Sequence, residues 1–279
     1  MDTSWSGPDL ASEILAEGQS LADLRDEVAK LIFEKDFLVS RRIPHLLNLY
    51  TLKFGARECE IFELETRILM LRRQIELVQV EINHQRELDL EEILQRVETM
   101  FEDNAQKIEV WREAIKESTL AFQGESLSNE DYLEFKNNYL FIVKKTHPDI
   151  NPNPTEEQLE LFNLAVKAFE SGDWLVMANL KYLVEVSETS TITLGPGELA
   201  EAKEKLSQVK TNLLAEIEGL QKSFPLNQLA LLESQELTKK KIKSLNELKE
   251  KLTQELAVHQ SRWLGLIDTH KDSCFSHYQ

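Results

Sequence analysis

Residues 61–82 read IFELETRILMLRRQIELVQVEI, and within them Ile61, Leu64, Ile68, Leu71, Ile75, Val78 and Ile82 recur at alternating steps of three and four. Apolar side chains at that spacing form one narrow helical stripe, which is buried most readily against a second helix in a left-handed supercoil. The stretch therefore predicts coiled-coil packing. A second stripe, Ile93, Val97, Met100, Ile108, Trp111 and Ile115, follows after only a few residues. Its similar length predicts an antiparallel hairpin of roughly 45 Å, at ~1.5 Å of rise per residue. Asn104 falls on this second stripe, where a polar residue is expected to fix register and not to bind a ligand.

The same pattern extends outward. Leu21, Leu24, Val28 and Leu31 give a third stripe that would complete a bundle, and Gly18, Pro44, Gly55 and Gly124 are the expected breaks between helices. Near the other end, Leu199, Ala202, Leu206, Val209 and Leu213 form a seam. After one four-residue stutter it continues through Ile217, Leu220 and Phe224 and stops at Pro225. The last long helix carries Leu245, Leu252, Leu256, Trp263 and Leu266, which predicts a second antiparallel hairpin. With only 9 Gly and 7 Pro in 279 residues to punctuate them, the elements must be long, and the fold class is all-α. The same seams would also serve a homodimer.

Composition narrows the partners. A formal charge of -17 repels phosphate backbones and anionic lipid, so neither nucleic acid nor membrane is expected as a partner. The basic run Lys239, Lys240, Lys241 and Lys243 reads as the solvated face of a helix. Two cysteines far apart, Cys59 and Cys274, and an opening segment with neither a basic nor an apolar signal region predict a cytoplasmic protein. Charges interrupt every apolar run before the ~18 residues that a membrane span requires. No glycine loop of the phosphate-cradling kind occurs, and no nucleophile stands beside a base, so neither a cofactor nor an enzymatic activity is expected. His270, Cys274 and His277 have helical metal-ligand spacing but sit at a chain end without a scaffold, and no metal is assigned to them.

Between the hairpins the heptads stop. Ser128 with Asp131 signals a helix start, and Tyr132, Phe135, Tyr139, Ile142 and Val143 lie on one face of that helix. Lys144 and Lys145 suit its C-terminal end, and His147-Pro148-Asp149 ends it, because Pro148 has no N–H to give. A loop stiffened by Pro152 and Pro154 leads to Thr155 and Gln158, a capping box. The second helix turns Leu159, Phe162, Ala165, Val166 and Phe169 inward and stops at Gly172. The organisation expected is an N-terminal segment over 1–19, a helical bundle or coiled coil over 20–122 and a separate small module over 128–186. A coiled-coil hairpin over 196–267 and a tail over 268–279 complete it.

Tyr139, Lys144-Lys145, His147-Pro148-Asp149, Asn151, Phe162 and the run Ala168, Phe169 and Glu170 together resemble the central hairpin of the J-domain, the module of DnaJ-type co-chaperones. The resemblance covers about 45 residues. It implies that the chain docks on a DnaK-type heat-shock chaperone and stimulates its ATP hydrolysis. On that likeness His147, Pro148 and Asp149 are the trigger, Lys136, Lys144 and Lys145 the basic docking face, and Asn151 belongs with them. Tyr139, Phe162 and Phe169 are core, and the coiled-coil arms would hold a client or partner protein. Leu140 and Phe141 stand where the family is basic, the family's opening helix is not recognisable before Ser128, and Gly172-Asp173-Trp174 begins a different closing segment. The alternative is a coiled-coil scaffold or adaptor whose hairpin stimulates no ATPase.

Overall fold

The computed structural model describes the backbone of residues 10–86, 88–121, 129–151, 154–186 and 196–276, and the side chains of 20–86, 88–120, 131–151, 154–186 and 197–268. Ser128, Gly124, Pro152 and the side chains of His270, Cys274 and His277 lie outside them. Among the described residues all regular structure is helical, as the sequence predicts. None of these helices is long and apolar enough to cross a membrane.

The backbone stays helical from Leu10 to Asn83, through α1 (Leu10–Phe37), α2 (Ile43–Tyr50) and α3 (Ala56–Asn83), with π-helical turns at Leu38–Arg42 and Thr51–Gly55 between them. Three expected breaks are therefore absorbed. Gly18 lies inside α1, and the first π turn closes with the Ile43 N–H on the Leu38 carbonyl, just before Pro44, whose ring would otherwise strike the carbonyl four residues back. Gly55 ends the second π turn. A Cβ there would lie 3.0 Å from Thr51 Cγ2 and 3.4 Å from Ile115 Cγ1, so glycine permits a close approach and does not stop the helix. The remaining helices are α4 (Leu90–Met100), α5 (Glu102–Ala121), α6 (Asn129–Thr146), α7 (Glu156–Ser171), α8 (Trp174–Val186), α9 (Pro196–Lys222), α10 (Leu229–Glu233) and α11 (Gln235–Ser276).

The chain forms two compact units. The first takes residues up to His45 together with Glu125–Asn227. In it α9 packs along α1, burying Leu21, Val28 and Ile32 with Leu199, Leu206 and Leu213. Lys210 pairs with Glu27 at 2.6 Å and Glu216 with Lys35 at 2.8 Å, so residue numbers rise together and the two helices run parallel. The core continues without a gap into α6, α7 and α8 through Phe33, Phe135, Tyr139, Ile142, Phe169, Met177 and Val184. The segment expected as a separate module thus shares one core with α1 and α9. The reason is size, since two short helices bury too little apolar surface to hold themselves.

The second unit takes Leu46–Gly124 and the chain from Gln228 onward. Here α3 pairs on one flank with α4 and α5, and Glu63 meets Arg112 at 2.8 Å while Asn104 Nδ2 donates to Thr66 Oγ1 at 3.2 Å. Numbers rise on one strand of these contacts as they fall on the other, which is the antiparallel hairpin predicted, with Asn104 on a seam contact. On its other flank α3 takes α11, with Glu58 to Lys241 at 3.2 Å and Glu60 to Lys249 at 2.7 Å, and Arg72 to Glu255 further along. That pair is parallel. The two C-terminal seams are therefore paired with α1 and α3, where a second hairpin of α9 with α11 was expected. A heptad stripe specifies that a helix will be buried, and leaves its partner open.

Candidate functional site

The loop between α6 and α7 is fixed from within. After Thr146, the Ile150 and Asn151 N–H groups both donate to the His147 carbonyl, at 3.1 and 2.8 Å. Asn151 Nδ2 donates to the Lys145 carbonyl at 3.0 Å, satisfying one of the carbonyls left over at the end of α6. The Ile150 side chain is buried. On the far side Thr155 and Gln158 form the reciprocal capping box that the sequence predicts. At the end of α7, Gly172 takes φ 73° and closes the helix in the left-handed conformation expected of it.

Three consecutive residues face in different directions. His147 is half-buried, with its ring edge-on to Phe162 at 4.7 Å between centroids. Its Nδ1 accepts the Asp149 N–H at 3.1 Å, which leaves the ring proton on Nε2 in the neutral form. Burial pushes its pKa below the ordinary histidine value, and Asp149 opposes this while Lys35 adds to it. Pro148 and Asp149, by contrast, are exposed. The arrangement is a rigid turn with a carboxylate on its outer edge, able to accept charge-assisted hydrogen bonds from a partner's arginine.

The expected basic face is divided. Lys136 and Lys144 stand two turns apart on the side of α6 against α1. Lys144 Nζ pairs with Asp26 at 2.7 Å, and Lys136 Nζ sits 4.9 Å from the centre of the Phe33 ring. Lys145 is exposed, with its ammonium 6.0 Å from the Phe141 ring. Lys145 is exposed, as are Pro148 and Asp149, and the other two lysines contact α1. Asn151 serves the loop itself.

Helix α1 and the π turn that follows it pack against the hairpin. Phe33 packs against Tyr139 and Phe169, at 6.2 and 5.7 Å between ring centroids. The buried Tyr139 hydroxyl donates to Asp36 Oδ2 at 2.5 Å. Burial raises the pKa of Asp36 against the opposing pull of that hydrogen bond, and burial with the Asp36 charge drives the Tyr139 phenol far above its ordinary range. Arg41 Nη2 donates to the Phe169 carbonyl at 2.8 Å and lies directly over Gly172, where any Cβ would meet it. Phe33, Asp36 and Arg41 escape a reading by heptads. The signal that could have found them is the aromatic pair Phe33 and Phe37, four apart in a stripe otherwise aliphatic.

Among the described residues no cluster of histidine, cysteine and carboxylate is placed to hold a metal ion. Compared with protein-family models, curated proteins and solved structures, the chain matches none.

Proposed function

We propose that the protein is a cytoplasmic J-domain-type co-chaperone that docks on a DnaK-type ATPase through the α6–α7 tip and stimulates its hydrolysis of ATP, with the long helical pairs holding a client or partner protein. The observation that carries this reading is the tip itself. His147, Ile150 and Asn151 hold the turn from inside and leave Pro148 and Asp149 outside, so a carboxylate is presented on a preorganised edge. Lys145 adds a cation on the same exposed end.

A second reading, in which the hairpin is architecture within a scaffold, draws on the pairing of Lys144 with Asp26 and the seating of Lys136 over Phe33. Magnitudes favour the first. An ion pair as exposed as Lys144 with Asp26 is worth about 1 kcal/mol or less, and a cation over a ring near the surface about as little. An acidic partner surface can exchange for both without unpacking α1.

Single-turnover ATP hydrolysis by a DnaK-type chaperone, with wild type, Asp149→Asn and Asp26→Asn added in turn, separates the two readings. The co-chaperone reading expects stimulation by wild type, its loss in Asp149→Asn, and equal or greater stimulation by Asp26→Asn, which releases Lys144. The scaffold reading expects none from any of the three.

A further inference from the structure

The second unit carries a groove with the opposite charge to the molecule. It runs along one face of α3, walled by α11 on one side and by the α4–α5 junction on the other, with a volume of about 880 Å³. In a chain of formal charge -17, three arginines line it, Arg72, Arg73 and Arg262, against one glutamate, Glu76. Arg72 is fixed twice, by an ion pair with Glu255 and by donation to His259 Nε2 at 3.0 Å, and the other two arginines are held more loosely. Arg73 makes an i,i+3 surface pair with Glu76 at 2.6 Å, and Arg262 reaches the Gln79 amide at 3.4 Å. Pairs of that kind contribute little and exchange readily, and a 3.4 Å contact is at the long limit of a hydrogen bond.

Between the arginines the groove is apolar. Leu69, Val80 and Met100 are 47%, 42% and 48% exposed, and all three line it. Met100 stands on the stripe predicted for α4, whose Ile93 and Val97 are buried, so it belongs to a seam that the described residues leave open. The groove is open along its length, which disfavours a small molecule needing enclosure on most of its surface. From Leu69 to Asn83 it follows α3 for about 20 Å, the length of a helix of about 14 residues.

We infer that this groove binds an acidic amphipathic helix of a partner protein. Its apolar side chains would cover Leu69, Val80 and Met100, and its carboxylates would take Arg73 and Arg262. This is the helix-in-groove mode, with charge complementarity selecting the sign of the partner. The inference does not depend on the α6–α7 tip, since the groove belongs to the other unit.

The test is fluorescence anisotropy with the full chain and two labelled helical peptides, one built of leucine and glutamate and one with lysine in place of every glutamate. The expected result is saturable binding of the acidic peptide alone, weakened roughly tenfold by Arg73→Glu with Arg262→Glu and again by Met100→Ser, and weakened by added salt. The charge-reversed side chains are outside the core, and unchanged circular dichroism would show that the fold is intact. Equal binding of both peptides, absence of binding, or binding untouched by these substitutions would overturn the inference. So would self-association of the wild-type chain through the same arginines, which would make a second copy the occupant.

Discussion

His147 has an inward task, and substitutions there mix two effects. Its neutral ring packs on Phe162 and accepts the Asp149 N–H, so His147→Gln loosens the turn as well as altering its surface. The depressed pKa has a direction. Below the ordinary value of 6.5 the unfolded chain takes up a proton that the folded ring resists, so the stability present above that pH is lost as pH falls through the folded value. Urea denaturation of wild type and His147→Gln from pH 7.5 to pH 5 is expected to show the steeper loss in wild type; parallel curves would contradict a buried neutral histidine. Tyr139→Phe removes the donor to Asp36 and leaves a partly buried carboxylate short of a partner, which should cost about 1–3 kcal/mol in the same measurement. At this scale the sequence was informative about Tyr139, Phe169, the capping box and Gly172, each set by local chemistry. It was silent on Asp36 and Arg41, whose roles depend on contacts over a hundred residues away.

Helix ends and helix partners behave differently as objects of prediction. The end of α7 was legible because Gly172 needs φ 73°, and Gly172→Ala should destabilise by about 1–3 kcal/mol through backbone strain, with displacement of Arg41 in addition. The partners of the long seams were not legible. A 3,4 repeat in α9 and α11 says that each has one buried stripe, and short connections suggested that each would fold onto its sequence neighbour. The ion pairs instead set Glu27 beside Lys210 and Lys35 beside Glu216, a parallel register. Replacing Glu27 and Lys210 with cysteine and adding a short bismaleimide should therefore cross-link the monomer in high yield, as judged by gel mobility. Pairing Glu27→Cys with a cysteine at Leu199 instead, near the other end of the seam, should not. The breaks at Pro44 and Gly55 were misread for a related reason, since a π turn accommodates in one extra residue what an α-helix cannot.

Across the whole molecule, chain ends and middle are interleaved. Each compact unit is built from segments far apart in sequence, and the hairpin at 129–171 draws its core from α1 and its length of seam from α9. From the start of the chain, Phe33 packs on Tyr139 and Phe169, and Asp36 takes the Tyr139 hydroxyl. The fold then presents Asp149 at a tip that no core contact needs. Asp149→Asn should accordingly leave the urea midpoint unchanged. The decisive measurement is single-turnover ATP hydrolysis by a DnaK-type chaperone with this stability-matched variant beside wild type. Stimulation by wild type that vanishes in Asp149→Asn is the result predicted; equal rates with the two proteins, or none above the chaperone alone, would contradict it.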